Sequence, residues 1–210
     1  MRKGLSLAII AMVMAYAAAA MAQSADDQLA GKAVAFDESG YFYVYKDARN
    51  RSNHYIPSGW MGDYGDLKIK DSFKDNPQSG TTCIEWTYSA EGKQGANWAG
   101  VFWQNPANNW GDKNGGFDLR GAKKLTFWAR GAKGDERLLE VKVGGITGNY
   151  SDSDSVGIGP IDLTTDWKQY EIDLSQADLS YIIGGFCWAT NADSNPDGMV
   201  FYLDEIRFEK

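Results

Sequence analysis

The chain has 210 residues, 13% of them aromatic, with eight tryptophans, one histidine, two cysteines and a formal net charge of −7. An acidic balance with no cluster of Lys or Arg makes the chain a poor candidate for nucleic-acid and anionic-lipid surfaces, because phosphate binding needs concentrated positive charge. A lone His54 without a G-x-S-x-G motif excludes a serine hydrolase, and the chain lacks the ligands for a zinc centre.

The first 22 residues carry Arg2 and Lys3, an apolar run from Leu5, and Ala20-Met21-Ala22 before Gln23. This is the pattern of a secretory signal peptide. Its removal takes away two basic residues and moves the net charge from −7 to −9. The expected location is secreted or periplasmic, without membrane insertion, since no other stretch is apolar enough to span a bilayer. Residues 23–35, polar from Gln23 to Leu29, read as a loose segment, and 36–210 as a single domain with its own core.

From there the periodicity is two. Tyr41 to Tyr45 opens the series. Thr81 to Tyr88 alternates Ile84, Trp86 and Tyr88 against Cys83, Glu85 and Thr87. Leu125, Phe127 and Ala129 alternate with Thr126, Trp128 and Arg130. Leu139, Val141 and Val143 follow, then Tyr170, Ile172 and Leu174, and last the run Met199 to Glu209. These are half-buried strands, separated by Gly, Asn, Asp and Pro clusters such as 75–80 and 191–198. Only Leu174 to Ile182, with Ser175 as a cap, suits a helical turn. Roughly eight to ten strands at this spacing predict an all-β chain, an antiparallel β-sandwich of the jelly-roll kind.

The stretch WAGVFWQNPANNWG, residues 98–111, places three tryptophans around a polar loop. Sugars stack their C–H faces on indole rings and offer their hydroxyls to amides and carboxylates. Trp103 and Trp110 are therefore the expected stacking platforms, with Gln104, Asn108 and Asn109 as the polar rim. Trp60 and Tyr64, among the glycines of PSGWMGDYGD, form an alternative platform. Plugging an end of the sandwich is the competing role for Trp60 and Trp110. Trp86, Trp98 and Trp188 are expected in the core, and Trp128 against a second layer.

Three further features carry chemistry. Asp204 falls on one strand face with Val200, Tyr202, Ile206 and Phe208, where an ionised carboxylate needs a partner. Calcium shared with Asp37 is one solution; a bulge, or backbone N–H donors, is the other. Cys83 and Cys187 are either a disulfide, worth roughly 4–5 kcal/mol for so long a loop, or two buried thiols. The run Glu171-Ile-Asp173-Leu-Ser-Gln176 approaches the E-x-D-x-x-E of sandwich-fold glucanases, but Gln176 replaces the third acid, and the run reads as a solvated strand face.

Taken in order, IPSGWMGDYGDLKI, GGFDLRGAKKLTFWARG, WKQYEIDLS, GGFCWAT and MVFYLDEIRFE resemble the galactose-binding-like β-sandwich modules attached to bacterial glycosidases. The resemblance spans most of residues 36–208. It implies a jelly-roll sandwich, a non-catalytic carbohydrate-binding role and a structural calcium, with Asp204 matching the acid that such modules place on the last strand beside the metal. It transfers no binding site, because ligand residues vary across these modules. The expected function is an exported binder of a polysaccharide or oligosaccharide, with a partner enzyme or envelope protein. A structural protein of the cell envelope, or a glycosidase or lyase on the same fold, are the alternatives.

Overall fold

The computed structural model describes residues 31–210. The expected signal peptide and Gln23 to Leu29 lie outside the described residues. In chain order the strands are β1 (Lys32–Ala33), β2 (Tyr41–Tyr45), β3 (Ile56–Gly62), β4 (Leu67–Phe73), β5 (Cys83–Tyr88), β6 (Trp98–Gln104), β7 (Phe117–Asp118) and β8 (Lys124–Gly131). Next come β9 (Arg137–Leu138), β10 (Glu140–Gly144), β11 (Ser155–Ile158), β12 (Ile161–Asp162), β13 (Lys168–Asp173), β14 (Gly184–Asn191) and β15 (Met199–Glu209).

Two antiparallel sheets carry the fold. One has five strands in the order β11-β10-β14-β6-β3; the other has the order β13-β8-β15-β5-β4, with β2 also paired to β15. The β-sandwich expected from the sequence is the fold observed. Among the described residues strand pairing begins at Lys32, opposite Phe117, upstream of the boundary expected at residue 36. The stretch from Leu174 to Ile182 forms no helix; it runs irregularly and buries Leu174, Leu179 and Ile182. Ser175 does not cap it, and its backbone N–H goes to the Asp173 carboxylate instead.

Alternation drives the packing. Ile84, Trp86 and Tyr88 of β5 face inward, as do Val101 and Trp103 of β6, Phe186 and Trp188 of β14, and Leu125, Phe127 and Ala129 of β8. Trp86 sits at the centre, its ring 5.1 Å from that of Trp188, 5.7 Å from Trp103 and 5.4 Å from Trp60. These are edge-to-face contacts, the favoured geometry for aromatic quadrupoles.

The last strand departs from the expected face. Opposite β8, Asp204 pairs with Trp128 and Arg207 with Thr126, so β15 carries an extra residue between them. Glu205 takes up the difference with φ of 48°. Such a bulge reverses the side-chain parity of the residues after it. Phe201 and Leu203 before it, and Ile206 and Phe208 after it, all reach the core. Tyr202 points out of the sandwich onto Phe73, and Asp204 shares its parity, so Asp204 does not share a face with Ile206 and Phe208.

The cysteines are not joined. Cys83 alternates with the inward Ile84 and Trp86, and Cys187 with the inward Phe186 and Trp188, so the two thiols occupy opposite outer faces of the sandwich. Two packed sheets, about 10 Å apart, lie between them. Burial raises both thiols, that of Cys83 to about 12.

Candidate functional site

The outer face of the five-stranded sheet holds the candidate site. The even-numbered positions of β6 face this way: Trp98, Gly100 and Phe102. Phe102 gathers a second apolar cluster, separate from the core, with Ile146, Tyr181, Ile183 and Cys187, and Met61 packs on it. Strand pairing sets Met61, Gly100, Ala189 and Glu140 in one row across β3, β6, β14 and β10, and Gly59, Phe102, Cys187, Lys142 and Gly157 in the next. Most residues in these rows are small, which hollows the face into a trough.

Two adjoining cavities run along it. One, of about 320 Å³, is lined by Met61, Trp98, Leu139, Glu140, Lys142, Cys187, Ala189 and Thr190. The other, also about 320 Å³, is lined by Leu139, Glu140, Ser155, Gly157, Ile158 and Gly159. Leu139 and Glu140 belong to both, so the trough crosses from β3 to the β11 edge.

Aromatic rings stand at its sides. Trp98 is 40% exposed and Trp110 43% exposed. The Trp110 ring meets Phe102 edge-on at 6.1 Å. Trp98 lies four residues from Phe102 along β6, or ~13 Å at strand spacing. Gly62 seats Trp98, and a Cβ there would collide with the Trp98 carbonyl. Asp63 then accepts the backbone N–H groups of Ala96, Gln94 and Asn97, which hold its carboxyl below the usual range and fix the loop that leads into Trp98. On the opposite side, Asp152 accepts the N–H groups of Ile146, Ile183 and Gly184. Burial nonetheless pushes its carboxyl up to about 6. It ties the 145–153 loop to the start of β14, and Tyr150 of that loop donates its N–H to the Gly111 carbonyl beside Trp110.

Several expected site residues lie elsewhere. Trp103 is 1% exposed, packed against Trp86 and Phe186, and offers no face to a ligand. Trp98, expected in the core, takes its place on the surface. Gln104 is buried; its amide donates to the Asn109 carbonyl and accepts from Ser58. Asn109 is buried too, bonded to Lys113 and Gly111. Both build the turn rather than a rim. Asn108 is exposed, with φ of 56°. Trp60 is half-buried against the core and does not face the trough. Tyr64 is 53% exposed on a short 3-10 turn beyond β3. Trp128 is half-buried on the outer side of the other sheet.

At Asp204 the structure shows the expected alternative to a calcium shared with Asp37, backbone N–H donors. Asp204 already accepts the N–H groups of Gln78, Ser79 and Glu205, and burial raises its carboxyl to about 7. Asp37 accepts those of Ser39 and Tyr41, beside the Tyr41–Glu209 pair, five residues further along β15. Three N–H groups take up most of the lone pairs of Asp204, whereas both donors at Asp37 go to Oδ1. Among the described residues no group of three or more His, Cys, Asp or Glu could hold a metal ion.

Sequence reasoning missed Met61, Glu140, Lys142 and Ala189. The available signal was WAGVFW itself, apolar on both parities, which marks a strand with work on both faces.

No protein-family model matches the chain, and no curated protein matches it. Among solved structures it is similar to a family 30 carbohydrate-binding module, with TM-score 0.56 and 15% identity over 83% of this chain and 90% of that one. It is also similar to the family 30 module of a cellulosomal cellulase of Clostridium thermocellum, with TM-score 0.55 and 16% identity over 81% and 97%. A family 11 module of the same organism, solved with a β-1,3-1,4-mixed-linked tetrasaccharide, gives TM-score 0.51 and 15% identity over 78% and 92%. The chain has the β-sandwich fold of these carbohydrate-binding modules.

Proposed function

We propose that this is an exported, non-catalytic protein that holds a polysaccharide in the trough on the outer face of its five-stranded sheet. The observation that carries the reading is the pair of half-exposed indoles, Trp98 and Trp110, flanking a floor of small residues. A ring that stays in water on a sheet face, beside a cavity, stands ready for the flat face of a sugar. The solved structures of the same fold are carbohydrate-binding modules, one of them with a bound tetrasaccharide, and this supports the reading. Export rests on the signal-peptide pattern of residues 1–22.

Binding without chemistry rests on the acids of the trough. Glycoside hydrolysis needs two carboxylates across the scissile bond. Glu140 is the one carboxylate that lines the two cavities, and its neighbour is Lys142, 3.1 Å away.

Calorimetric titration against soluble β-glucan, xylan, mannan and galactan tests the reading. Trp98→Ala and Trp110→Ala are each expected to weaken binding about tenfold or more, ~1.4 kcal/mol, with the circular dichroism of the wild type. Failure of the wild-type protein to bind any of the four polymers would sink the proposal.

A further inference from the structure

The trough contains one anion and one cation, and they are partners. Of the residues that line the two cavities, Glu140 and Lys142 alone are charged. Their Oε2 and Nζ atoms are 3.1 Å apart, with the glutamate side chain 48% exposed and the lysine 23%. Glu140 stands where the two cavities meet. The lysine ammonium sits 5.6 Å from the centroid of the Phe102 ring, the floor beneath Trp110.

We propose that the Glu140–Lys142 pair sets the charge class of the polymer: the trough accepts an uncharged chain and refuses a uronate-bearing one. This rests on the proposed function of the same trough. Paired, the two groups present no net charge, yet their outer lone pairs and N–H donors still serve sugar hydroxyls. A polymer carboxylate entering the trough would lose water and meet no net positive charge to offset that loss. The acidic character of the whole chain opposes it further.

The partners are not equivalent in what they leave behind. Without the glutamate charge, Lys142 keeps its place over the Phe102 ring, where a cation–π contact holds it. It becomes an unpaired ammonium facing the trough. Without the lysine, Glu140 is an unpaired anion that repels a uronate more strongly than before.

The test uses the full-length protein in calcium-free buffer with two neutral polymers, mixed-linkage β-glucan and xylan, and two carboxylated ones, polygalacturonate and alginate. Wild type is expected to bind a neutral polymer and neither uronan. Glu140→Gln is expected to gain uronan affinity on the order of tenfold or more, the scale of one freed unit charge in a half-buried site. That gain should vanish as salt shortens the screening length. Lys142→Met should show no gain. If Glu140→Gln matches wild type on the uronans, or Lys142→Met gains equally, the charge-class proposal falls while the binding function stands. If wild type binds uronans as well as neutral chains, the same holds. Absence of wild-type binding to every neutral polymer overturns both.

Discussion

Trp103 and Trp98 are five positions apart in β6 and so point to opposite sides of the sheet. Trp103 meets Trp86 and Phe186 at ring-centroid distances of 5.7 and 5.2 Å, enclosed on every side. Trp103→Ala should therefore cost about 3–5 kcal/mol in urea unfolding, the usual range for emptying a buried aromatic site. Trp98→Ala should change stability by less than ~1 kcal/mol while weakening the proposed sugar binding. Equal stability losses for the two variants would contradict this division. The sequence shows that the two indoles oppose each other but not which one is inside. Ala99 and Val101 travel with Trp103, Gly100 and Phe102 travel with Trp98, and both sets are apolar. Glu140, Lys142 and Ala189 were harder still to find, since strands distant in sequence bring them together and no local pattern marks them.

At the scale of elements, strands were legible and their joints were not. Alternation located β2, β5, β8, β10, β13 and β15, because each keeps one face in the core. A bulge beside Asp204 is among the expected solutions, but its place at Glu205 depends on one left-handed residue of a type that rarely adopts that conformation. The loops are held by buried or half-buried carboxylates that accept backbone N–H groups: Asp47 from Thr81 and Thr82, Asp63 from the 94–97 loop, Glu136 from Ala132 to Gly134, Asp152 and Asp204 from theirs. For Asp204 backbone N–H donors are among the expected solutions; which N–H groups each acid accepts appears only when the distant loop arrives. Asp63→Ala leaves three N–H donors of the 94–97 loop unsatisfied. It should lower the thermal midpoint and weaken sugar binding together, because that loop delivers Trp98. Unchanged affinity in a folded Asp63→Ala protein would separate the loop from the site.

For the molecule as a whole, these acids set the pH response. Burial raises the carboxyls of Asp152 to about 6 and Asp204 to about 7, both above the unfolded value of 3.8. A raised folded pKa means that the native state binds the proton more tightly than the unfolded chain. Stability should thus rise as pH falls through 7 and 6. Asp47, Asp63, Asp118, Asp173 and Asp178 are lowered instead, so their contribution is present above 3.8 and lost as pH falls below it. The thermal midpoint should peak near about pH 5. Each kcal/mol moves it by ~2–4 °C in a domain of this size. A midpoint that climbs steadily from pH 5 to pH 8 would contradict the assignment. Among the described residues, no helix is long and apolar enough to cross a membrane.

The double use of β6 also limits how such a protein can change over generations. Adding or deleting one residue between Trp98 and Trp103 would put both indoles on the same side of the sheet, so that one of them must leave its place. Such a change would lose either the proposed recognition surface or the hydrophobic centre. Connections between strands are free of that constraint and can lengthen at small entropic cost. On the proposed function, new sugar preferences therefore have two routes: exchange of side chains on alternate positions of the sheet, or remodelling of the loops that flank Trp98 and Trp110. The strand itself can be rewritten but not re-spaced.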